Sequence, residues 1–320
     1  MVDFAMFHAA VMAITSQPLW LDGASNFARL LAHMVKFPDR DFETELRASL
    51  YRHPSQFVAA NVIDPQMIEA RGGPVIIPGG RSGKATAVVS MRGIALYDLE
   101  FQPYCYSMAV LEATMNRLAG DDEIGQIILD VDSPGGTVTG VPEAADAIHN
   151  AAKRKQVTAV VNPMAASAAY WLVSQASSVI TIPSGSVGSI GVYMMHVDFS
   201  EAMANDGIKV TYIYAGPHKV EGNPFEPLAE DAREFLQGQV NDTYSSFIKA
   251  VARGRGVTAA TVKSDFGGGR VLDAKAALEA GMIDKTATVA MALKQLGLIG
   301  SDDNQSRSNR RRRLQLLRHH

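Results

Sequence analysis

The chain has 320 residues, enough for one large or two modest domains with a sizeable core. Hydrophobic residues make up 47% and charged residues 20%, as in a soluble globular protein, and the formal net charge of −3 points to no nucleic-acid or membrane partner. The one cysteine, Cys105, excludes an internal disulfide framework and fits a reducing, cytoplasmic setting. The N-terminal stretch carries Asp3 and no basic start, so it does not read as a secretory signal. Residues 156–195 contain no Asp, Glu, Lys or Arg, but Asn162, Pro163, Pro183 and several Gly and Ser residues interrupt them. No membrane span is expected there; the segment reads as buried strand, helix and strand.

Residues 1 to about 80 read as a separate N-terminal helical and extended region. Phe27, Leu30, Leu31, Met34 and Val35 have helical spacing, as do Phe42, Leu46 and Leu50. A Gly- and Pro-rich loop over 72–84 marks the boundary. Strand and helix patterns then alternate through about 295. Strands are expected over 85–91, 125–131, 157–161, 179–182, 192–197 and 210–214. Helices are expected over 106–118, with Met108, Leu111, Met115 and Leu118 inward, and over 141–153, with Ala144, Ala145, Ile148 and Ala152 inward. A further short helix is expected over 165–174. A long one over 228–253 should turn Ala232, Phe235, Leu236, Val240, Tyr244, Phe247 and Val251 inward. This alternation argues for an α/β fold. The end, residues 300–320, is polar and then basic, with Arg310 to Arg313 consecutive. Such a block reads as a solvated tail, with contact to nucleic acid or an acidic partner as the alternative.

Three segments can carry chemistry. In residues 128–140 an apolar strand ends in Pro134-Gly135-Gly136, where paired glycines let backbone amides face an oxyanion. An ordinary strand-to-helix turn is the plainer reading of those residues. In residues 160–174, Ser167 stands among alanines near a helix start, with room for a carbonyl to approach, and the Ala168 amide beside it is a second oxyanion donor. A helix serine bonding back to the preceding turn is the alternative. In residues 212–228, Lys219 follows a Gly-Pro turn. A lysine acts as a base only when neutral, and lowering its pKa from about 10.4 toward 7 costs about 4 to 5 kcal/mol. Burial beside apolar groups supplies such a shift, whereas a solvated loop lysine is the commoner case.

Together, and in this order, these segments resemble the S49 peptidases, signal peptide peptidase A and its phage relatives. The resemblance runs from about residue 85 to 290. It rests on Asp132-Ser133-Pro134-Gly135-Gly136, on Met164-Ala165-Ala166-Ser167, on Gly188-Ser189-Ile190-Gly191-Val192, on Gly216-Pro217-His218-Lys219 and on the Gly-Arg-Val segment within 268–284. It implies a Clp/crotonase-like fold of stacked ββα units and a serine endopeptidase with a Ser–Lys dyad. Ser167 would be the nucleophile, Lys219 the base, and Ser189 the group that hydrogen-bonds and orients the lysine. Oxyanion amides would come from Gly136, with Gly135 beside it, and from Ala168. Where the family often has glycines after the nucleophile, this chain has Ala168 and Ala169, which keep the N–H and narrow the space. No cofactor or metal is implied.

The resemblance further implies peptide or protein substrates and a homo-oligomer. Residues 17–34 loosely resemble the lead-in of phage and prophage members, which points to processing of scaffold, portal or capsid proteins during head maturation. A cellular signal-peptide or quality-control peptidase is the alternative within the family. Outside it stand a His-based triad using His196 with Asp198, or His218, a crotonase-like acyl-CoA enzyme, and a non-catalytic assembly protein.

Overall fold

The structure is a computed structural model that describes residues 74–78, 83–97 and 105–299. The expected N-terminal helices and the basic tail lie outside these residues.

A mixed sheet of nine strands forms the centre of the described residues, an α/β arrangement as expected. Its main path runs β1 (Val75–Ile77), β2 (Ala85–Leu96), β4 (Ile124–Gly136), β5 (Gln156–Ala166), β6 (Ser178–Thr181) and β9 (Lys285–Thr286). From β2 onward these strands are parallel, while β1 joins antiparallel, pairing Val75 with Val88. A short β3 (Cys105–Ser107) extends the end of β2. Beyond β5 the sheet forks. β7 (Ser186–Gly188) pairs with the last residues of β5, and β8 (Val271–Asp273) pairs antiparallel with β7.

Parallel strands feed helices back across the sheet, and both sheet faces are covered. On one face lie α1 (Met108–Gly120), α2 (Val141–Ala152), α3 (Ala168–Val173) and the C-terminal half of α5 (Glu230–Arg255), which bury the odd-numbered strand residues Ile127, Leu129 and Val131 with Ala159 and Val161. On the other face Val88, Ile128, Val160 and Ile180 meet α8 (Val289–Gln295) through Ala292 and Leu293. Local chemistry fixes where helices begin. Ser107 caps α1 by accepting from the Val110 N–H, and Pro142 stands in the first turn of α2. Thr258 caps α6 (Ala259–Asp265), Asp273 caps α7 (Ala274–Glu279) and Thr288 caps α8 in the same way.

The α3 helix has six residues, all buried, and is held from both sides. Trp171 stacks on Phe247 of α5 with ring centroids 4.7 Å apart. The Tyr170 hydroxyl donates to the Met282 carbonyl at 2.9 Å. Gly254 lets α5 close onto the end of α3, since a Cβ there would sit 2.1 Å from the Ser174 carbonyl oxygen.

Several expectations need correction. Tyr106 belongs to β3 rather than to the helix that follows it, because Ser107 provides the cap one residue later. Residues 75–77, expected in a loop, form β1. The strands expected over 192–197 and 210–214 are absent. Residues 191–199 hold one isolated bridge at Tyr193, and 208–214 hold no strand. An apolar run becomes a strand only where a neighbour offers a ladder of backbone partners, and among the described residues these two segments have no more than the single bridge at Tyr193. Residues 192–229 instead run largely exposed, with α4 (Ser200–Asn205) as their one helix. Phe235, expected inward, is exposed on the N-terminal half of α5.

Candidate active site

The sheet brings three expected segments to one edge. The first is the end of β4. Gly135 has φ 99°, and Gly136 lies so close to β2 that a Cβ would sit 1.9 Å from the Ala95 carbonyl oxygen. No residue but glycine fits there. The Gly135 N–H donates to the Ser133 hydroxyl at 3.1 Å, and the next amide but one, that of Thr137, donates to the Ala95 carbonyl at 2.9 Å.

The second is the junction of β5 and α3, where Ser167 stands at φ 54°, ψ −126°. The residue is 2% exposed and its side chain makes no capping bond. Its backbone is clamped instead. The Ser167 N–H donates to the Gly188 carbonyl at 2.7 Å, and its carbonyl accepts from the Trp171 N–H at 3.0 Å. Ala168, fully buried, opens the helix, and first-turn amides have no acceptor within their own helix.

The third is the end of β7. Ser189 stands at φ 56° and its N–H donates to the Arg270 carbonyl at 2.8 Å. A Cβ on Gly188, at φ 127°, would lie 2.7 Å from that same Arg270 oxygen. Among the described residues, Ser167 and Ser189 are the two non-glycine residues with positive φ. Such backbone costs of order 1–3 kcal/mol per residue, persists only where surrounding structure enforces it, and clusters at functional sites. Here the enforcing structure is one backbone chain of hydrogen bonds from Ser167 through Gly188 and Ser189 to Arg270. The sequence offered no sign of this clamp, because it is made by main-chain atoms of residues far apart in the chain.

Lys219 is not gathered into this group. It is exposed, in a turn closed by its own N–H on the Gly216 carbonyl at 3.1 Å. Among the described residues its side chain makes no hydrogen bond to Ser167 or Ser189. The segment around it exposes Met195, Ile208, Val210, Ile213 and Tyr214, with Ile213 99% exposed.

The histidines are committed elsewhere. His196 Nε2 lies 2.9 Å from the Asn223 carbonyl, so that nitrogen carries the proton. The Ser200 hydroxyl, and with it the Ser200 N–H, holds the Asp198 carboxyl below the usual range. No hydrogen bond joins Asp198 to His196 among the described residues. His218 pairs with Glu221, which raises its imidazole above the ordinary value. No group of three or more potential metal ligands occurs among the described residues. No described helix is long and apolar enough to cross a membrane.

A separate cleft lies at the C-terminal ends of α2, α3 and α5, lined by His149, Lys153, Gln175, Arg253, Arg255 and Asp284. Its two arginines are paired. Arg253 holds Gln175 and Asp146, and Arg255 holds Asp284 through two hydrogen bonds. It is a joint between helices.

Several known proteins are similar in sequence to this chain. The chain is 35% identical over 173 residues to capsid assembly protease C of Escherichia phage lambda, covering 54% of this chain and 39% of that protein. It is 33% identical over 181 residues to head-tail preconnector protein GP5 of Enterobacteria phage P21, covering 57% of this chain and 36% of that protein. It thus spans well under half the length of these two phage relatives. A putative signal peptide peptidase SppA of Enterococcus faecium is 25% identical over 267 residues, covering 81% of this chain and 74% of that protein. Residues 149–298 match peptidase family S49, a range that includes Ser167, Ser189 and Lys219 and begins after the Gly135–Gly136 turn. Residues 149–298 are therefore a peptidase family S49 domain.

Proposed function

We propose that the chain is a serine endopeptidase in which Ser167 attacks a peptide carbonyl and Lys219 is the general base, on a Clp/crotonase-like frame. The observation that carries this reading is the enforced left-handed backbone of Ser167 at a buried strand-to-helix junction, beside a glycine turn that tolerates no side chain. Neutral Lys219 takes the hydroxyl proton as Ser167 Oγ bonds to the carbonyl carbon. The carbonyl electron pair moves onto oxygen and is met by the Gly136 and Ala168 N–H groups. Gly135 is set aside as a donor because Ser133 already occupies its N–H. Lys219 then gives its proton to the leaving amine. Water, deprotonated by the same lysine, releases the acyl group. Ser189 orients the lysine.

The exposed position of Lys219 in the single chain bears on how this site is completed. A lysine becomes a competent base where water is excluded from it. The apolar side chains on the same segment, Ile213 and Tyr214 foremost, supply a surface for a second copy to cover. We therefore read the active form as a homo-oligomer.

The names of the two phage relatives favour processing of scaffold, portal or capsid proteins during head maturation in the host cytoplasm or prohead. The longer alignment with the SppA-like protein favours, as a second reading, a cellular peptidase of the same family. Co-expression with the products of neighbouring genes tests the first reading. Processing of a head protein by the wild-type chain and its loss with Ser167→Ala is the expected result. Unchanged processing with Ser167→Ala would remove Ser167 from the reaction.

A further inference from the structure

We infer that Ser133 and Tyr106 are positioning residues that lock the Gly135–Gly136 turn and so aim the Gly136 N–H at the nucleophile. The lock is a geometric feature of the fold; its catalytic consequence rests on the peptidase reading above.

Ser133 is fully buried on β4, and its register partner on β5 is Ala165, two residues before Ser167. Its hydroxyl has two partners. It accepts from the Gly135 N–H at 3.1 Å and lies 3.2 Å from the Tyr106 hydroxyl. Tyr106, 8% exposed, reaches this point because β3 pairs with the end of β2, Ala95 opposite Tyr106. The same Ala95 is opposite Gly136, and its carbonyl takes the Thr137 N–H. Three strands therefore converge on one turn.

The direction of the Gly136 amide follows from this. Along an extended strand successive N–H groups face opposite edges. The Thr137 N–H faces β2, so the Gly136 N–H faces β5, the strand that leads to Ser167. What fixes that peptide is the residue before it. Gly135, at φ 99°, has a soft backbone, and the bond from its N–H to Ser133 removes that freedom. Tyr106 in turn fixes the rotamer of the Ser133 hydroxyl. Without the serine, the Gly135 N–H and the Tyr106 hydroxyl would both be buried and unpaired. Without the tyrosine hydroxyl, Ser133 would keep the glycine bond but lose its orienting partner.

The test uses the full chain with Ser133→Ala and the near-isosteric Tyr106→Phe, read in two ways. Hydrogen exchange by mass spectrometry over residues 131–137 reads the lock itself. Exchange should rise roughly tenfold or more in Ser133→Ala and by a smaller factor in Tyr106→Phe, with the melting temperature of Tyr106→Phe near that of wild type. The rate of Ser167 modification by a fluorophosphonate reads the consequence. It should fall by roughly 10- to 100-fold in Ser133→Ala and less in Tyr106→Phe, since removal of one oxyanion donor outright costs about 10²–10³. Affinity for a peptide aldehyde, which forms a tetrahedral adduct, should fall in parallel, while KM for a fluorogenic peptide stays within about twofold. Unchanged exchange over 131–137 in both variants overturns the lock. Faster exchange with wild-type modification rates overturns its role in aiming Gly136. Should the wild-type chain itself resist modification, the Ser167 reading fails, and the exchange measurement still decides the lock.

Discussion

The serine side of this molecule and the lysine side are built in opposite ways. Ser167, Ser189 and the Gly135–Gly136 turn sit where β4, β5 and β7 end, the two serines clamped by main-chain bonds to Gly188 and Arg270 and the turn by the Ser133 hydroxyl and the Ala95 carbonyl. Residues 192–229, which carry Lys219, add no strand to the sheet and leave large apolar side chains in water. The first region is finished by its own fold. The second has the composition of a buried surface without the cover, which is what an interface segment looks like before its partner is present.

That contrast can be broken most severely at the exposed segment. Ile213→Asp should abolish assembly and lower peptidase activity by roughly 100-fold or more, a general base being worth about 10²–10⁴. The melting temperature of the unassembled chain should hardly move, because Ile213 is 99% exposed there. Sedimentation velocity beside calorimetry checks both halves. A variant that keeps its assembly and activity would show that this surface needs no cover.

On the serine side the expectation is reversed, with stability as the large effect. Phe247→Ala removes the ring stacked on Trp171 behind the nucleophile helix and should cost about 3–5 kcal/mol in chemical denaturation. Gly254→Ala should be destabilising by a clash, because its Cβ would lie 2.1 Å from the Ser174 oxygen. Asp284→Asn should cost less, about 1 kcal/mol, because the Arg255 guanidinium is left with a weakened partner but the Asp284 carboxylate is already screened by water on its exposed side. Burial pushes the Asp284 carboxyl up, but the Arg255 guanidinium and the Val179 N–H outweigh it and hold the carboxyl below its ordinary range. The wild-type chain therefore holds this contribution above the ordinary carboxylate range and loses it as pH falls through the lowered value. The acid limb of the stability curve should flatten in Asp284→Asn.

The smallest effect returns to the lysine side. Glu221 raises the His218 imidazole by direct hydrogen bonding, so an NMR titration should place His218 above an ordinary histidine. Glu221→Gln should lower it. The pair favours the folded chain at pH below the ordinary histidine value, and that preference fades as pH rises through the raised one.

How much of this the sequence revealed follows the same division. The core faces of α1 and α2 were legible because Met108, Leu111, Met115 and Leu118, and Ala144, Ala145 and Ile148, repeat at helical spacing and are buried together. The motif serines were legible as residue types in order. Their strained backbone was not, because the Arg270 carbonyl that holds Ser189 is some eighty positions away and carries no side-chain signature. The lock on the glycine turn was hidden for the same reason, with Tyr106 assigned by periodicity to a helix it only precedes. The misread strands over 192–197 and 210–214 have a different cause. Their apolar and β-branched content is real, but composition reports that a surface is to be covered, not which molecule covers it.

The most direct test of the Ser–Lys reading is to label the full assembled chain with a fluorophosphonate and map the modified residue, in wild type and in Lys219→Ala. The account predicts modification at Ser167 in the wild type and at least a roughly 100-fold slower reaction in Lys219→Ala, the loss expected for a general base. Wild-type labelling of Ser167 in Lys219→Ala would contradict it.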